Sequence, residues 1–272
     1  MSTNGLELQN PKPPKKRKST SFYISLATVI MLLALWYIVT KFRLVSPMFL
    51  PEPQKVWAAF ISICTEGYKS YAFWEHLSAS LERIGLAFGL ATLVAVPLGL
   101  ASGYIPWIKA IMEPVVEFIR PLPPLAYYTL LVLWMGIDNE SKVMLLFIAC
   151  FMPIYIACAT AVLRVSQNYL RNAAVLGANR FQIFFRIIFP SALPDIFLSM
   201  RTALGFGYTT LVAAEMVAAR SGIGWMVLDA SNYLKSEVVF VGIIIMSMTG
   251  LLLDQFIRML KNICIPWEGK DI

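Results

Sequence analysis

Residues Val143 to Leu163 read VMLLFIACFMPIYIACATAVL, an unbroken run of 21 residues without a charged side chain. At 1.5 Å per residue a helix of that length reaches about 30 Å, the thickness of the hydrocarbon core of a bilayer. Lipid tolerates no unpaired backbone group, so such a run spans as a helix. Five further stretches share its character: Phe22 to Thr40, Ile84 to Ile105, Leu122 to Gly136, Ile196 to Ala219 and Val238 to Leu260. The one from Leu122 is short and follows Arg120-Pro121-Leu122-Pro123-Pro124, so its start reads as irregular backbone inside the protein. Only 14% of the residues are charged, against about 25% in soluble domains, too few to clothe a water-facing surface. An apolar content of 58% and a mean hydropathy of +0.67 agree. The fold expected is all-α: a polytopic membrane protein with six transmembrane helices within residues 22–262.

Composition also excludes chemistry. One histidine, His76, leaves no imidazole set for a metal site or a Ser-His-Asp arrangement. Cys64, Cys150, Cys158 and Cys264 lack C-x-x-C spacing, and we read them as small buried apolar side chains. No Gly-x-x-x-x-Gly-Lys-Ser/Thr loop occurs, so the chain encodes no phosphate cradle of its own. No catalytic residue, metal or cofactor is expected.

Lys15-Lys16-Arg17-Lys18 precedes the first span. The apolar run after it is too long for a secretory signal and ends without an A-x-A-like site, so it reads as a retained helix. Residues 1–21 are expected to form a disordered basic cytoplasmic tail, and residues 263–272 a second tail. A basic run beside a span reads as topology and attraction to anionic lipid rather than nucleic-acid binding. With the N-terminus inside, the inner segments carry fourteen Lys and Arg and the outer ones eight, with Arg201 inside the fifth span. That bias favours both termini in the cytoplasm and makes residues 164–194 a cytoplasmic loop.

Gly85-x-x-x-Gly89 and Gly99-x-x-x-Gly103 in the second span, and Ala203, Gly207 and Ala214 in the fifth, form small-residue stripes suited to close helix crossings. We read them as packing within one bundle in preference to a dimer motif. Phe73, Leu77, Ser80 and Ile84 fit a helical face beside Glu75, Glu82 and Arg83, so Phe73 to Arg83 is expected to lie as an amphipathic helix at the outer surface, with His76 interfacial or solvated. Glu215 is the sharpest candidate for the translocation path, because a carboxylate at membrane depth costs roughly 3 kcal/mol on insertion scales and faces a cavity or a partner. A gate or a structural link is the alternative. Arg201 and Asp254 fall in the same half of the membrane and are candidates to pair, while Arg258 offers Asp254 a local partner at i+4. Glu113, Glu117 and Arg120 read as a solvated face, with Glu117 and Arg120 at i, i+3. Thr209, Thr210 and Tyr208 could set hydroxyls along the path or bond their own helices.

The loop from residue 164 to 194 carries the functional reading. It runs from Gln167 through Asn172-Ala173-Ala174-Val175-Leu176-Gly177-Ala178 to Phe189-Pro190. Ala173 and Gly177 at i and i+4, with Ala174 and Ala178, are expected to give a short helix a small-residue docking surface. Phe181, Phe184, Phe185 and Ile188 recur at helical spacing, and Pro190 and Pro194 are expected to stop that helix before the fifth span.

Ala173-Ala174-x-x-Gly177 followed by Ile187-Ile188-Phe189-Pro190 resembles the coupling loop of permease subunits of bacterial ABC importers. Asn172 stands where that motif often has Glu. The resemblance runs from about Ser46 to Gly269. It includes Ser46-Pro47-x-Phe49-Leu50-Pro51-x-Pro53, Arg120-Pro121-Leu122-Pro123-Pro124-Leu125-Ala126, Trp134-Met135-Gly136-Ile137, Leu211-Val212-Ala213-Ala214-Glu215 and Gly222-Ile223-Gly224, which are similar to the nitrate, sulfonate and taurine group. Pro121 to Pro124, Leu211 to Glu215 and Pro266-Trp267-x-Gly269 are most similar to the taurine permeases.

The resemblance implies a type I importer permease in an inner membrane, transporting taurine or a related sulfonate. Alkanesulfonates, nitrate or another small anion moved by the same mechanism are the alternative. It implies a pair of separate ATPase subunits, a second permease copy, a periplasmic substrate-binding protein and a lipid bilayer as partners. Asn172, Ala173, Ala174, Gly177, Ala178, Phe185 and Pro190 would couple to the ATPase, and Glu215, Arg201, Thr209 and Thr210 are the candidates for path or gate. A secondary transporter also needs a helical bundle with buried charges, but would be expected to show broken helices in matched halves, and no internal repeat is evident.

Overall fold

The structure, a computed structural model, describes residues 18–267. Of the expected tails, residues 1–17 and 268–272 lie outside the described residues, and the last helix runs two residues into the expected C-terminal tail, ending at Cys264. The first helix begins at Lys18, inside the stretch expected to be tail. All regular elements among the described residues are helical.

Among the described residues, those up to Pro53 form one unit and those from Gln54 another. The first holds α1 (Lys18–Lys41), apolar on every side and exposed along nearly its whole length, as a helix meant for lipid must be. Within that unit, the Trp36 indole N–H donates to the carbonyl of Pro51 (3.1 Å) and holds the turn that follows the helix.

Ten helices make the second unit: α2 (Pro53–Glu66), α3 (Phe73–Tyr104), α4 (Pro106–Ile119), α5 (Pro124–Met135), α6 (Asn139–Arg164), α7 (Gln167–Val175), α8 (Arg180–Ile183), α9 (Phe189–Ala218), α10 (Ile223–Asn232) and α11 (Ser236–Cys264). A single π-turn, Phe184–Ile188, joins α8 to α9. With α1, the helices α3, α6, α8 to α9 and α11 make five that are long and apolar enough to cross a membrane. The third expected span is α5, whose 12 residues reach only about 18 Å. Pro123 and Pro124 begin it late and Gly136 (φ +84°) ends it.

Helices α3 and α6 run parallel in direct contact, and α9 runs antiparallel against both. The glycines decide how close they come. A Cβ at Gly99 would lie 2.6 Å from the Tyr155 carbonyl oxygen, and one at Gly103 would lie 2.6 Å from that of Ala159, so this pair sets the α3–α6 crossing. Gly207 of α9 meets Cys150 Sγ in the same way, with Ala203 and Ala214 buried beside it. Gly85 and Gly89 face open space, a correction to the expected stripe, because they lie on the outward face of α3, away from the buried Ile84, Ala87 and Ala91. Cys150 and Cys158 are buried apolar side chains, whereas Cys64 and Cys264 are exposed, contrary to expectation, because they sit on outward faces of α2 and α11.

Two further expectations are corrected. The segment Phe73 to Arg83 is no separate surface helix: nothing interrupts the helix before Ile84, so α3 runs on through it. His76, Ser80 and Arg83 turn inward and are buried, while Glu75, Ser78 and Glu82 stay exposed. Pro190 and Pro194 do not stop a helix before the fifth span. Pro190 sits in the first turn of α9, where the π-turn delivers the Phe189 N–H to the Phe184 carbonyl and proline's missing donor is not needed, and Pro194 lies one turn further inside the same helix, which continues through it. On α4, Glu113, Glu117 and Arg120 are exposed, and the ion pair of that face joins Lys109 to Glu113 (3.5 Å) rather than Glu117 to Arg120.

Candidate coupling segment and translocation cleft

The segment between α6 and α9 is built around two caps. The N–H of Ala178 donates to the carbonyl of Ala173, and that of Gly177 to the carbonyl of Ala174, both at 3.0 Å, with Gly177 at φ +84°. This pair of bonds is the Schellman stop, which puts glycine just past a helix end because only glycine takes the left-handed conformation at no steric cost. The expectation that Ala173 and Gly177 share one helical face is thereby corrected. Gly177 lies beyond α7, and it serves the backbone rather than a small surface. Asn179 then caps α8: its side chain accepts from the Gln182 N–H (2.8 Å), and Gln182 Oε1 accepts from the Asn179 N–H (2.9 Å).

Between these caps the chain presents apolar side chains to the outside. Val175 and Leu176 are 87% and 86% exposed, and Tyr169, Phe181 and Phe185 are exposed as well. Asn172 and Ala174 are exposed, while Ala173, Ala178 and Pro190 are half-buried. The segment is tied to the bundle through Tyr104 at the end of α3, whose ring lies 5.5 Å from Phe184 and whose hydroxyl donates to the Arg180 carbonyl (3.4 Å).

A cleft of about 750 Å³ opens between the end of α4, α5, α6 and α9. Its lining runs on α6 from Ile148 to Arg164 and on α9 from Asp195 to Thr210. The Arg164–Asp195 ion pair (3.6 Å) and Arg120 stand at the end nearest α7. Thr160, Ser199, Thr202, Thr209 and Thr210 line the walls, and each hydroxyl donates to a carbonyl of its own helix, at 2.7 to 3.1 Å. Their oxygens are left as acceptors.

Thr209 and Thr210 therefore share the cleft, while Arg201 and Glu215 are outside its lining. Arg201 turns to α11 and holds Asp254 with both arms of its guanidinium (2.7 and 3.0 Å), and Arg258 adds a third contact (3.0 Å). Tyr208 also faces α11, where its hydroxyl bonds Thr249.

Glu215, 1% exposed, ends in a closed network at the other end of the bundle from α7. Arg83 Nη1 donates to its Oε1 (2.7 Å), Ser80 donates to the same oxygen (2.8 Å), and the Gly224 N–H donates to Oε2 (2.8 Å). Arg83 also reaches the Ser221 carbonyl (2.8 Å) and Asn139 Oδ1 (2.9 Å). The Ile223 N–H donates to Ser80, and that of Gly222 to His76 Nδ1 (3.2 Å). His76 Nε2 lies 3.4 Å from the Tyr68 carbonyl and the ring stacks on Trp225, an arrangement that fits the neutral Nε2–H tautomer. Sequence reasoning missed Arg83, Ser80 and His76. The signal was present: His76, Ser80 and Arg83 recur at i, i+4 and i+7 on one face, apart from Glu75, Ser78 and Glu82, and polar groups at that depth need partners.

The far end of α10 is tied to the α2–α3 elbow. Tyr68 and Lys69 both donate to Asp229, at 2.8 and 2.7 Å. Burial works to raise the Asp229 carboxyl, but these two hydrogen bonds outweigh it and hold the group below the usual carboxylate range. The same contact holds the Lys69 ammonium above its ordinary value, and burial followed by Asp229 pushes the Tyr68 phenol well up.

Residues 95–262 match the family model described as binding-protein-dependent transport system inner membrane component. This chain belongs to that family. The inner membrane component is a multi-pass membrane protein, the permease subunit of an ABC importer rather than an enzyme, and the family works with an ATPase and a substrate-binding protein. Over 248 residues it is 40% identical to the taurine transport system permease protein TauC of Escherichia coli (strain K12), covering 91% of this chain and 90% of that protein. It is 31% identical over 263 residues to the putative aliphatic sulfonates transport permease protein SsuC of Bacillus subtilis (strain 168), covering 97% and 93%. It is 32% identical over 192 residues to the nitrate import permease protein NrtB of a Synechocystis strain, covering 71% and 70%.

Proposed function

We propose that this permease subunit carries taurine or a closely related aminosulfonate along the cleft between α5, α6 and α9. The observation that carries the substrate class is the 40% identity, across nine-tenths of both chains, to the taurine permease, against 31% and 32% for the aliphatic sulfonate and nitrate permeases. The cleft chemistry supports it. Arg120 and Arg164 near its mouth suit a sulfonate, and hydroxyls that have already donated their protons offer acceptors to an ammonium. Nitrate has no group for those acceptors.

In this reading Tyr169, Val175, Leu176, Phe181 and Phe185 form the surface that docks on the ATPase, with Asn172, Ala173, Ala174 and Ala178 shaping it and Gly177 fixing its turn. A second copy of the chain completes the path, and both termini lie on the ATPase side. The test is uptake by vesicles holding the permease, its ATPase and its binding protein. Labelled taurine should accumulate on ATP addition, and unlabelled taurine should compete far better than ethanesulfonate or nitrate. Equal competition by ethanesulfonate would move the assignment to alkanesulfonates.

A further inference from the structure

The glycines of Gly222-Ile223-Gly224 and the carboxylate of Glu215 are one device. Helix α10 begins with three orphan backbone donors, those of Gly222, Ile223 and Gly224. Each is taken by a buried side chain: His76, Ser80 and Glu215 in that order. His76 and Ser80 stand one turn apart on α3, and a carboxylate suits the positive end of a helix. The glycines let the turn close over Glu215. A Cβ at Gly222, already at φ +127°, would fall 2.4 Å from the Glu215 carboxyl carbon, and one at Gly224 would fall 2.9 Å from the Val212 carbonyl. Arg83 completes the closure from beneath: one nitrogen reaches both Glu215 and Ser221, so the guanidinium bridges the end of α9 to the turn that follows it.

The position matters because the cleft stops short of this network. On α9 its lining ends at Thr210, five residues or about 7.5 Å before Glu215. On α6 it ends at Ile148, nine residues or about 13 Å past Asn139. We infer that Arg83 is a positioning residue for transport: through its ion pair with Glu215 it clasps α3, α9 and the α10 turn into one block that shuts the blind end of the cleft. The inference rests on the cleft being the path. A pair buried to this depth is too costly to open in each cycle, so the block moves whole and the partner copy must move against it.

The test uses the reconstituted permease with its ATPase and binding protein, and it reads the amount of ATPase retained, ATP hydrolysis without binding protein, and substrate moved per ATP. Arg83→Gln and Glu215→Gln should keep the ATPase bound but lower the substrate moved per ATP by roughly tenfold or more, with hydrolysis no longer needing the binding protein. Arg83→Lys keeps the charge but loses the bridge to Ser221, and it should fall between. The exchange Arg83→Glu with Glu215→Arg should recover part of the loss. Should the glutamine variants fail to accumulate, the Lys variant decides alone. A wild-type ratio of transport to hydrolysis in Arg83→Lys, or in accumulated glutamine variants, overturns the clasp. A wild-type complex that moves no sulfonate would instead overturn the proposed function.

Discussion

Gly177 separates two accounts of the coupling segment. If it supplies a small docking surface, alanine should serve and a larger polar residue should not. If it supplies the left-handed residue of the Schellman stop, the order reverses. The surroundings make the second account quantitative: a Cβ at Gly177 meets nothing within 4 Å, so substitution brings no clash within the chain. The remaining cost is backbone alone, about 1–2 kcal/mol for a side chain in the left-handed region. Alanine recovers about 0.4–1 kcal/mol of that by restricting the unfolded chain. The net is about 1 kcal/mol, roughly a fivefold loss of the formed turn. Gly177→Ala should thus weaken ATPase binding about fivefold by titration in detergent, with a matching loss of substrate-stimulated hydrolysis. Gly177→Asn, which takes φ > 0 more readily, should lose about twofold or less, and Gly177→Val more than Ala. Wild-type binding by the Ala variant, combined with a large loss in the Asn variant, would refute the backbone argument.

Crossing distances give a second expectation. Gly103→Ala forces a Cβ to 2.6 Å from the Ala159 carbonyl and should cost about 1–3 kcal/mol, whereas Gly89→Ala, in open space, should leave the thermal midpoint unchanged. Equal midpoints for the two variants would contradict the assigned crossing. For Asp254, a double-mutant cycle on stability should show stronger coupling to Arg201, held by two bonds, than to Arg258. Both should stay near 1 kcal/mol or below, because about a third of the Arg201 and Asp254 side chains remains exposed. The elbow contact at Asp229 should respond to pH at both extremes. The depressed carboxyl adds stability above its unfolded value, about 3.9, and loses it as pH falls through the folded value. The raised Lys69 adds stability below its unfolded value, about 10.4, and loses it as pH rises through the folded one. A nitroxide on Ser70→Cys should keep constant mobility from about pH 5 to 9 and loosen below about pH 4, and Asp229→Asn should loosen it throughout. A mobility change centred near neutral pH would count against this contact.

The long helices were legible because their signal is length times apolarity, and Val143 to Leu163 carries both. Legibility failed where a polar residue sat in an apolar helix. Ser80 and Arg83 suggested a water-facing surface when considered with Glu75 and Glu82, yet their partners are Glu215 and the turn after it, more than 130 residues away. The spacing of His76, Ser80 and Arg83 marks a shared face, but the carboxylate that meets it lies too far along the chain for a local pattern to name. The prolines misled for a related reason. A proline breaks a helix whose ladder is otherwise complete, but the π-turn before Pro190 had already shifted it, and the helix continues through Pro194. In the coupling segment the spacing suggested one helical face where the backbone makes a stop. Ala173 and Gly177 are four apart, but the helix between them ends at Val175. For Asp254 the sequence offered Arg201 across the spans and Arg258 at i+4, and the structure uses both; a charge inside a span needs a partner, which is the argument that Arg83 also invited.

In the proposed function the ATPase subunit grips the exposed face from α7 to α8. Site-directed crosslinking tests it directly, in a permease whose exposed Cys64 and Cys264 have been replaced. A cysteine in place of exposed Ala174 should join to the ATPase in the assembled complex, with a yield that changes between nucleotide-free and ATP-bound states, and one in place of Tyr233 near the end of α10 should not. Crosslinking of the ATPase from position 233 with none from 174 would contradict the account.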